Sequence, residues 1–517
     1  MNRFIALKLI PTLFLFFLVG SCTSVKNYNL QITKQHSPEE LHRDTDLAYE
    51  KLQKLHPDLY WYISKEALDK KFKNLKDQLQ TPLTSREYYM QLAPVITAIK
   101  QGHTSVYPPF KKKTKTERKA KKKEEPPFKP FRFKRINNKL YIIKNFSKDS
   151  TLFVGSELLN VANEKVRNLL ASFEKLATSD GFNKTFLPQY IGSHFGEFYT
   201  RTHLKKDSIS LILKNKDSIY SHFLIRKKSI ILKKEKNTLK QKFSRKKKKN
   251  RKKWESKYGY DNYTKEKIRD LDFINLDTSH IISYLKIRGF RKGNYEDFYK
   301  ESFAKIDSAK SNYLILDLRD NLGGRMSEIN ELYSYLSDKE YLFIKEAKMT
   351  KGNSFMYPFL HSKSWLTKSF SILLYPALVT IQAFKVKKID QKPNFQFKSL
   401  KRKQPKSNNY KGKIYVLING ESFSASAVLS THLKATKRAL FVGEETGGSY
   451  NSTVAGMFAN IELPNSKVRL RIGLMNLKTP YTTEPDGYGI KPDILIKTTR
   501  LDKDEQLVWV LSDVLKN

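Results

Sequence analysis

At 517 residues the chain is too long for one ordinary core, which implies two to four domains. With 39% hydrophobic and 29% charged residues it can fill a globular core, so wholesale disorder is excluded. The formal charge of +46 does not point to nucleic acid, because much of the excess sits in two runs, 111–123 (KKKTKTERKAKKK) and 233–253, with neither zinc-ligand spacing nor interleaved aromatics. These runs read either as solvated loop insertions or as contacts for anionic lipid or another polyanion.

In chain order, Arg3 and Lys8 precede an apolar stretch, 9–19, that closes on Val19-Gly20-Ser21-Cys22. A basic start, a short apolar core and small residues before the break predict a secretory signal over 1–21, too short for a comfortable membrane span. Cys22 is the only cysteine, and it lies where a bacterial lipoprotein signal places its lipidated residue. One cysteine excludes an intrachain disulfide and a cysteine-based zinc site. The expectation is a lipid-anchored protein of the cell envelope, facing the periplasm or the exterior, held to the membrane through Cys22. Residues 22–36 are polar and read as a tether.

From 37 to 110 the pattern is that of a helical domain. Ser37-Pro38-Glu39-Glu40 is an N-cap with proline at the first helical position, and leucines recur at helical spacing after it. A basic insertion (111–130) follows, then a β-rich unit (131–232). In that unit, residues 155–163 predict a strand, a turn and a following helix, and this resembles the part of PDZ domains where a strand leads into the peptide-flanking helix. A generic α+β insert is the other reading. After a basic linker (233–274), strand and helix alternate over 275–517, as in an α/β core. An irregular, lysine-rich insertion is expected at 341–411.

The chemistry concentrates at two strand ends. Ile414 to Ile418 is a buried strand by its apolar run, and Asn419-Gly420-Glu421-Ser422-Phe423-Ser424-Ala425-Ser426 makes a tight turn into a helix. A serine there is exposed beside a helix N-terminus that favours developing negative charge. The logic is that of a nucleophile elbow without the G-x-S-x-G pattern, and Ser422, Ser424 and Ser426 could equally cap the helix. A second buried strand ends in Asp317-Leu318-Arg319-Asp320-Asn321-Leu322-Gly323-Gly324. The glycines let backbone N–H groups approach a ligand, so one of them and the Ala425 N–H could form an oxyanion hole. Asp317 and Arg319 read as a structural pair.

The order LILDLRDNLGG, SFSAS, LFVGEETGG, GYGIKPDI resembles the C-terminal processing, or tail-specific, serine peptidase family, over roughly 281–497. The resemblance implies a crotonase-like α/β peptidase core, Ser424 as nucleophile, and oxyanion donors from Ala425 and the Gly323-Gly324 pair. The better-known branch has a lysine base where this chain has Ser449, and no lysine occurs between Lys437 and Lys467. Gln101-Gly102-His103-Thr104-Ser105 instead resembles the D-G-H-T motif of the tricorn-core-like branch, with Gln101 in place of the aspartate. This implies His103 as general base. That branch also uses a downstream acid; Glu484 stands at about that place, with Asp486 as competitor, and Thr104 or Ser105 could add a hydroxyl. The substrate implied is a peptide or protein, with no cofactor and no metal. The alternative is a non-catalytic peptide- or polyanion-binding lipoprotein on a peptidase scaffold.

Overall fold

The computed structural model describes residues 24–119, 123–124, 126–147, 152–225, 228–229, 256–261, 264, 266–277, 280–361 and 373–516. The signal segment, Cys22 and the lysine run 233–253 lie outside the described residues. Among the described residues no helix is long and apolar enough to cross a membrane.

The α/β core is a six-stranded sheet in the order Arg269–Asn275, Ile281–Ile287, Tyr313–Asp317, Lys413–Ile418, Leu440–Gly443, Ile494–Leu495; the first pair is antiparallel and the rest parallel. Period-two alternation divides its side chains between two faces. Leu314, Leu316, Val416 and Ile418 pack on helices Tyr295–Ser308, Met326–Ser334 and Ala425–Ala435, while Ile315, Tyr415 and Leu417 meet Val510 and Val514 of helix Glu505–Val514. Both faces are covered, which is why these strands read as continuous apolar runs.

Helices Pro38–Leu55, Lys65–Gln78 and Ser85–Thr97 form the N-terminal unit, each started by a hydroxyl cap; Ser37 and Thr84 complete capping boxes with Glu40 and Glu87. The β-rich unit is an antiparallel sheet of Ser218–Ile225, Ser208–Asn215, Glu157–Val161, Lys139–Asn145 and Phe131–Ile136, with Glu164–Lys165 on Glu157–Val161. Of the strand, turn and helix expected near 155–163, Glu157–Val161 is the strand and residues 162–163 are the turn; the short strand Glu164–Lys165 comes between that turn and helix Val166–Glu174.

Three expectations are corrected. Residues 24–36 are not a tether. Ser24 caps helix Val25–Gln31, Tyr28 and Ile32 are buried, and Gln35–His36 pairs with Leu83–Thr84. Enough apolar surface lies in this polar-looking stretch to fold it back onto the domain. The linker 233–274 ends in a core strand, Arg269–Asn275, whose Arg269 is fully buried and donates to Glu328 at 2.5 Å. Nor are the described residues of 341–411 irregular. Glu346–Lys348, Val386–Ile389 and Lys392–Phe395 join the hairpin Ser452–Glu462/Arg469–Lys478 in a second antiparallel sheet, anchored by buried Ala347, Met349 and Phe395. Strand Ser105–Tyr107 pairs with the same hairpin and so brings the N-terminal unit to the core.

Candidate active site

Tyr313–Asp317 and Lys413–Ile418 run side by side, with Asp317 opposite Leu417, so both chains leave the sheet at the same edge. Their exit loops therefore meet at the carboxyl ends of the strands, the usual place for a site in a parallel sheet. Asp317 secures this edge. Burial alone would raise its carboxyl, but Lys286 (2.6 Å) and Arg319 (2.8 Å) hold it well below the usual carboxylate range. The structural pairing of Asp317 and Arg319 is as expected.

Hydrogen bonding separates the three serines. The Ser422 hydroxyl donates to Leu318 O (2.8 Å) and that of Ser426 to Asn321 O (2.7 Å), which ties the turn to the neighbouring loop. Ser424 makes no side-chain capping bond to its helix. Its φ of +56° is a conformation that L residues avoid, as at a strained nucleophile turn, and it presents Oγ to His103. The distance from Oγ to His103 Nε2 is 2.9 Å.

Gly323 packs directly on that turn. At its φ of +91°, an added Cβ would stand 2.7 Å from both Ala425 N and Phe423 O. The Gly323 N–H, expected to help form the oxyanion hole, donates to Asn321 Oδ1 at 2.9 Å. This corrects the expected donor set: the open N–H groups are those of Gly324 and Ala425, because a single proton serves one strong acceptor.

His103 lies in the loop between helix Ser85–Thr97 and strand Ser105–Tyr107, its ring centroid 5.2 Å from that of Phe423 and 5.5 Å from that of Phe458. Burial, then the nearby Arg471 cation, push the imidazole down to about 3. It is therefore neutral near pH 7, and its Nε2 lone pair can accept the Ser424 proton. The Ser105 hydroxyl is turned elsewhere, donating to Tyr107 OH (3.1 Å), whereas the buried Thr104 Oγ1 has no hydrogen-bond partner among the described residues; only the Thr104 backbone carbonyl is engaged, accepting from Thr178 Oγ1 (2.8 Å).

Among the described residues no acid bonds to the second nitrogen of His103. Glu484 sits on an exposed loop, accepting from Asp486 N–H at 3.1 Å. Asp486 is held by Trp61 Nε1 and by Gly487 N–H, both at 2.6 Å. An acid that sequence reasoning missed lies behind the loop instead. Buried Asp180 accepts from Gly102 N–H (2.7 Å) and Ser449 N–H (3.5 Å), and burial raises its carboxyl to about 6. It joins the histidine loop to the segment where the other branch carries its lysine. No pattern in Thr178-Ser179-Asp180-Gly181 marks this role, since its partners come from distant parts of the chain.

Residues 281–496 match the model of peptidase family S41. Mature CPAF complexed with lactacystin is 15% identical, covering 93% of this chain and 99% of that one, with a TM-score of 0.60. Mature CPAF alone gives 15%, 89%, 92% and 0.58. The photosystem II D1 C-terminal processing protease gives 12%, 88%, 92% and 0.41. At such identities the CPAF likeness is one of fold. No curated protein matches by sequence. Residues 281–496 thus form a peptidase family S41 domain, and the protein that carries it is a serine-type peptidase.

Proposed function

We propose that the protein is a lipid-anchored endopeptidase of the cell envelope, cleaving peptides or C-terminal segments of proteins through an acyl-enzyme on Ser424 with His103 as general base. The observation that carries this reading is the 2.9 Å approach of Ser424 Oγ to a neutral His103 Nε2 at a helix N-terminus. Oγ attacks the scissile carbonyl carbon while its proton passes to Nε2, and the oxyanion accepts from Gly324 and Ala425 N–H. Collapse breaks the C–N bond, and Nε2 returns the proton to the leaving amine. The same nitrogen then deprotonates the water that releases the acid. Glu484 is kept as the acidic member of the polar network, on the loop that Phe182 N–H fastens at Gly487 O (2.7 Å). The crotonase-like description of the core and the PDZ-like description of the β-rich unit belong to this proposal. So do lipidation at Cys22 and contact of the lysine runs with anionic lipid or polyanions, which rest on the sequence alone.

The test uses protein beginning at residue 23 and a fluorophosphonate probe. Labelling mapped to Ser424, absent in Ser424→Ala and strongly slowed in His103→Ala, is the expected result. No labelling of the folded protein would favour the non-catalytic peptide- or polyanion-binding reading. For the anchor, Cys22→Ala should abolish incorporation of a palmitate analogue; unchanged incorporation would remove Cys22 as its site.

A further inference from the structure

Ser424 and His103 open into a pocket of about 490 Å³ whose lining includes Arg288, Arg291, Arg325 and Arg471 but a single acid, Asp320. Three of the arginines have carboxylate partners: Arg288 with Glu266 (3.6 Å), Arg291 with Asp261 (3.0 Å) and Arg325 with Glu328 (2.8 Å). Asp320 Oδ1 accepts from Asn419 Nδ2 at 2.8 Å. Arg471 differs. It is half-buried, its guanidinium carbon lies 3.9 Å from the Phe458 ring centroid, and among the described residues no carboxylate or carbonyl accepts from it. Its strand position is opposite Ser105, two residues from His103. A partly desolvated guanidinium with no acceptor is costly, and its planar fork fits a carboxylate. Phe458 covers the guanidinium from one side, leaving N–H groups for a ligand.

We propose that Arg471 binds a carboxylate of the substrate, so that the enzyme selects peptides bearing an acidic group beside the scissile bond. The proposal rests on the serine-peptidase reading of this site. The surroundings favour the same ligand. The pocket shares Arg288, Arg291, Asp320 and Leu322 with a larger cavity of about 1420 Å³, lined by more basic than acidic side chains, among them Lys134, Lys184 and Lys497. An acidic chain leaving the site would find a favourable field there. Arg471 also acts on the base. After burial it is the cause that holds the His103 imidazole low, so a carboxylate seated on the guanidinium would offset that effect and make Nε2 a stronger base. Substrates with the acidic group would be both held and cleaved better.

The carboxylate can come from a Glu or Asp side chain or from a free C-terminus, and the experiment separates these sources. The full chain is given internally quenched decapeptides carrying Glu or Gln at each position in turn, each made with a free and an amidated C-terminus. Expected is a kcat/KM for Glu about tenfold or more above that for Gln at one fixed distance from the cleaved bond. A comparable loss on amidation alone assigns the carboxylate to the terminus instead. In Arg471→Gln the preference should fall to about one, and in Arg471→Lys to an intermediate value. The preference is a ratio internal to each protein, so a partly folded variant does not distort it. Equal cleavage of Glu and Gln peptides and of free and amidated ones overturns the proposal, as does a preference that survives Arg471→Gln. Failure to cleave any peptide while a fluorophosphonate still labels Ser424 also overturns it, whereas failure to label Ser424 overturns the catalytic reading itself.

Discussion

The two halves of the proposed catalytic pair stand on different cores. Ser424 belongs to the parallel sheet, where Ala425, Val428 and Leu429 pack with Leu316 and Val416 in one hydrophobic cluster. His103 belongs to the other side, where Ile96 and Val106 pack with Leu470 and Ile472 of the long hairpin in a second cluster. The serine side is built locally: strand, turn and helix follow one another within a short stretch of chain. The base side is assembled from three distant segments, joined by Asp180, Phe458 and Arg471. Ser424 is therefore preformed by its own sequence, whereas His103 is positioned by docking of two units, and the two sides should answer differently to mutation.

The largest effect tests whether the halves act as one. Ser424→Ala and His103→Ala should each lower kcat by ~10⁴–10⁶, and the double variant should lose no more than the worse single one. Multiplying losses would mean that the two residues work independently and would break the pairing. A smaller effect is expected on the serine side alone. In Gly323→Ala the new Cβ meets Ala425 N and Phe423 O at 2.7 Å with φ at +91°, so the turn must shift away from the oxyanion donors. A loss of ~10²–10³ in kcat should follow with KM little changed. An unchanged kcat would show that the turn tolerates displacement.

The same contrast explains what was legible beforehand. The apolar runs ending at Leu318 and Ile418, covered on both faces, were readable as buried strands, and small residues after each marked the turns. Choosing Ser424 over Ser422 and Ser426 needed either the family resemblance or the hydrogen bonds to Leu318 O and Asn321 O, because spacing treats the three alike. His103 is legible only through its motif. Val468-Arg469-Leu470-Arg471-Ile472 alternates as a strand should, which sets Arg471 on the face opposite Leu470, yet nothing local says that this face looks onto a serine. Asp180 and the strands within 341–411 escaped for the same reason: their partners are set by tertiary docking, not by periodicity.

Asp180 offers the sharper probe of the base side. Asp180→Ala removes the acceptor of Gly102 N–H and should lower kcat ~10-fold by loosening the histidine loop, with Ser424 still labelled. Asp180→Asn separates charge from shape. The folded carboxyl, at about 6, lies above its ordinary 3.8, so its contribution to stability is fully present below about pH 4 and lost as pH rises through 6. His103 works the other way: held near 3, below its ordinary 6.5, it makes the fold less stable as pH falls from 6.5 towards 3. Denaturant titrations should find that Asp180→Asn gains up to ~3 kcal/mol relative to wild type between pH 4 and pH 7. A constant difference across that range would mean that Asp180 titrates normally.

The smallest effect returns to the serine side and guards the identity of the nucleophile. Ser422 and Ser426 lash the turn to the loop that ends in Gly323-Gly324, each through one buried bond to a backbone carbonyl. Replacing Ser422 by alanine leaves Leu318 O without its donor, which should cost ~1–3 kcal/mol of stability; Ser426→Ala should cost less, because Asn321 O keeps the Phe423 N–H (3.1 Å). Neither hydroxyl faces His103, so the rate of fluorophosphonate labelling should stay within about twofold of wild type, since surrounding packing still holds the turn. Loss of labelling in Ser422→Ala or Ser426→Ala, with Ser424→Ala still labelled, would move the nucleophile to the neighbour. Loss of labelling in all three would instead show that the lashing itself sets the strained φ of Ser424, and that the serine side is less self-sufficient than its local construction implies.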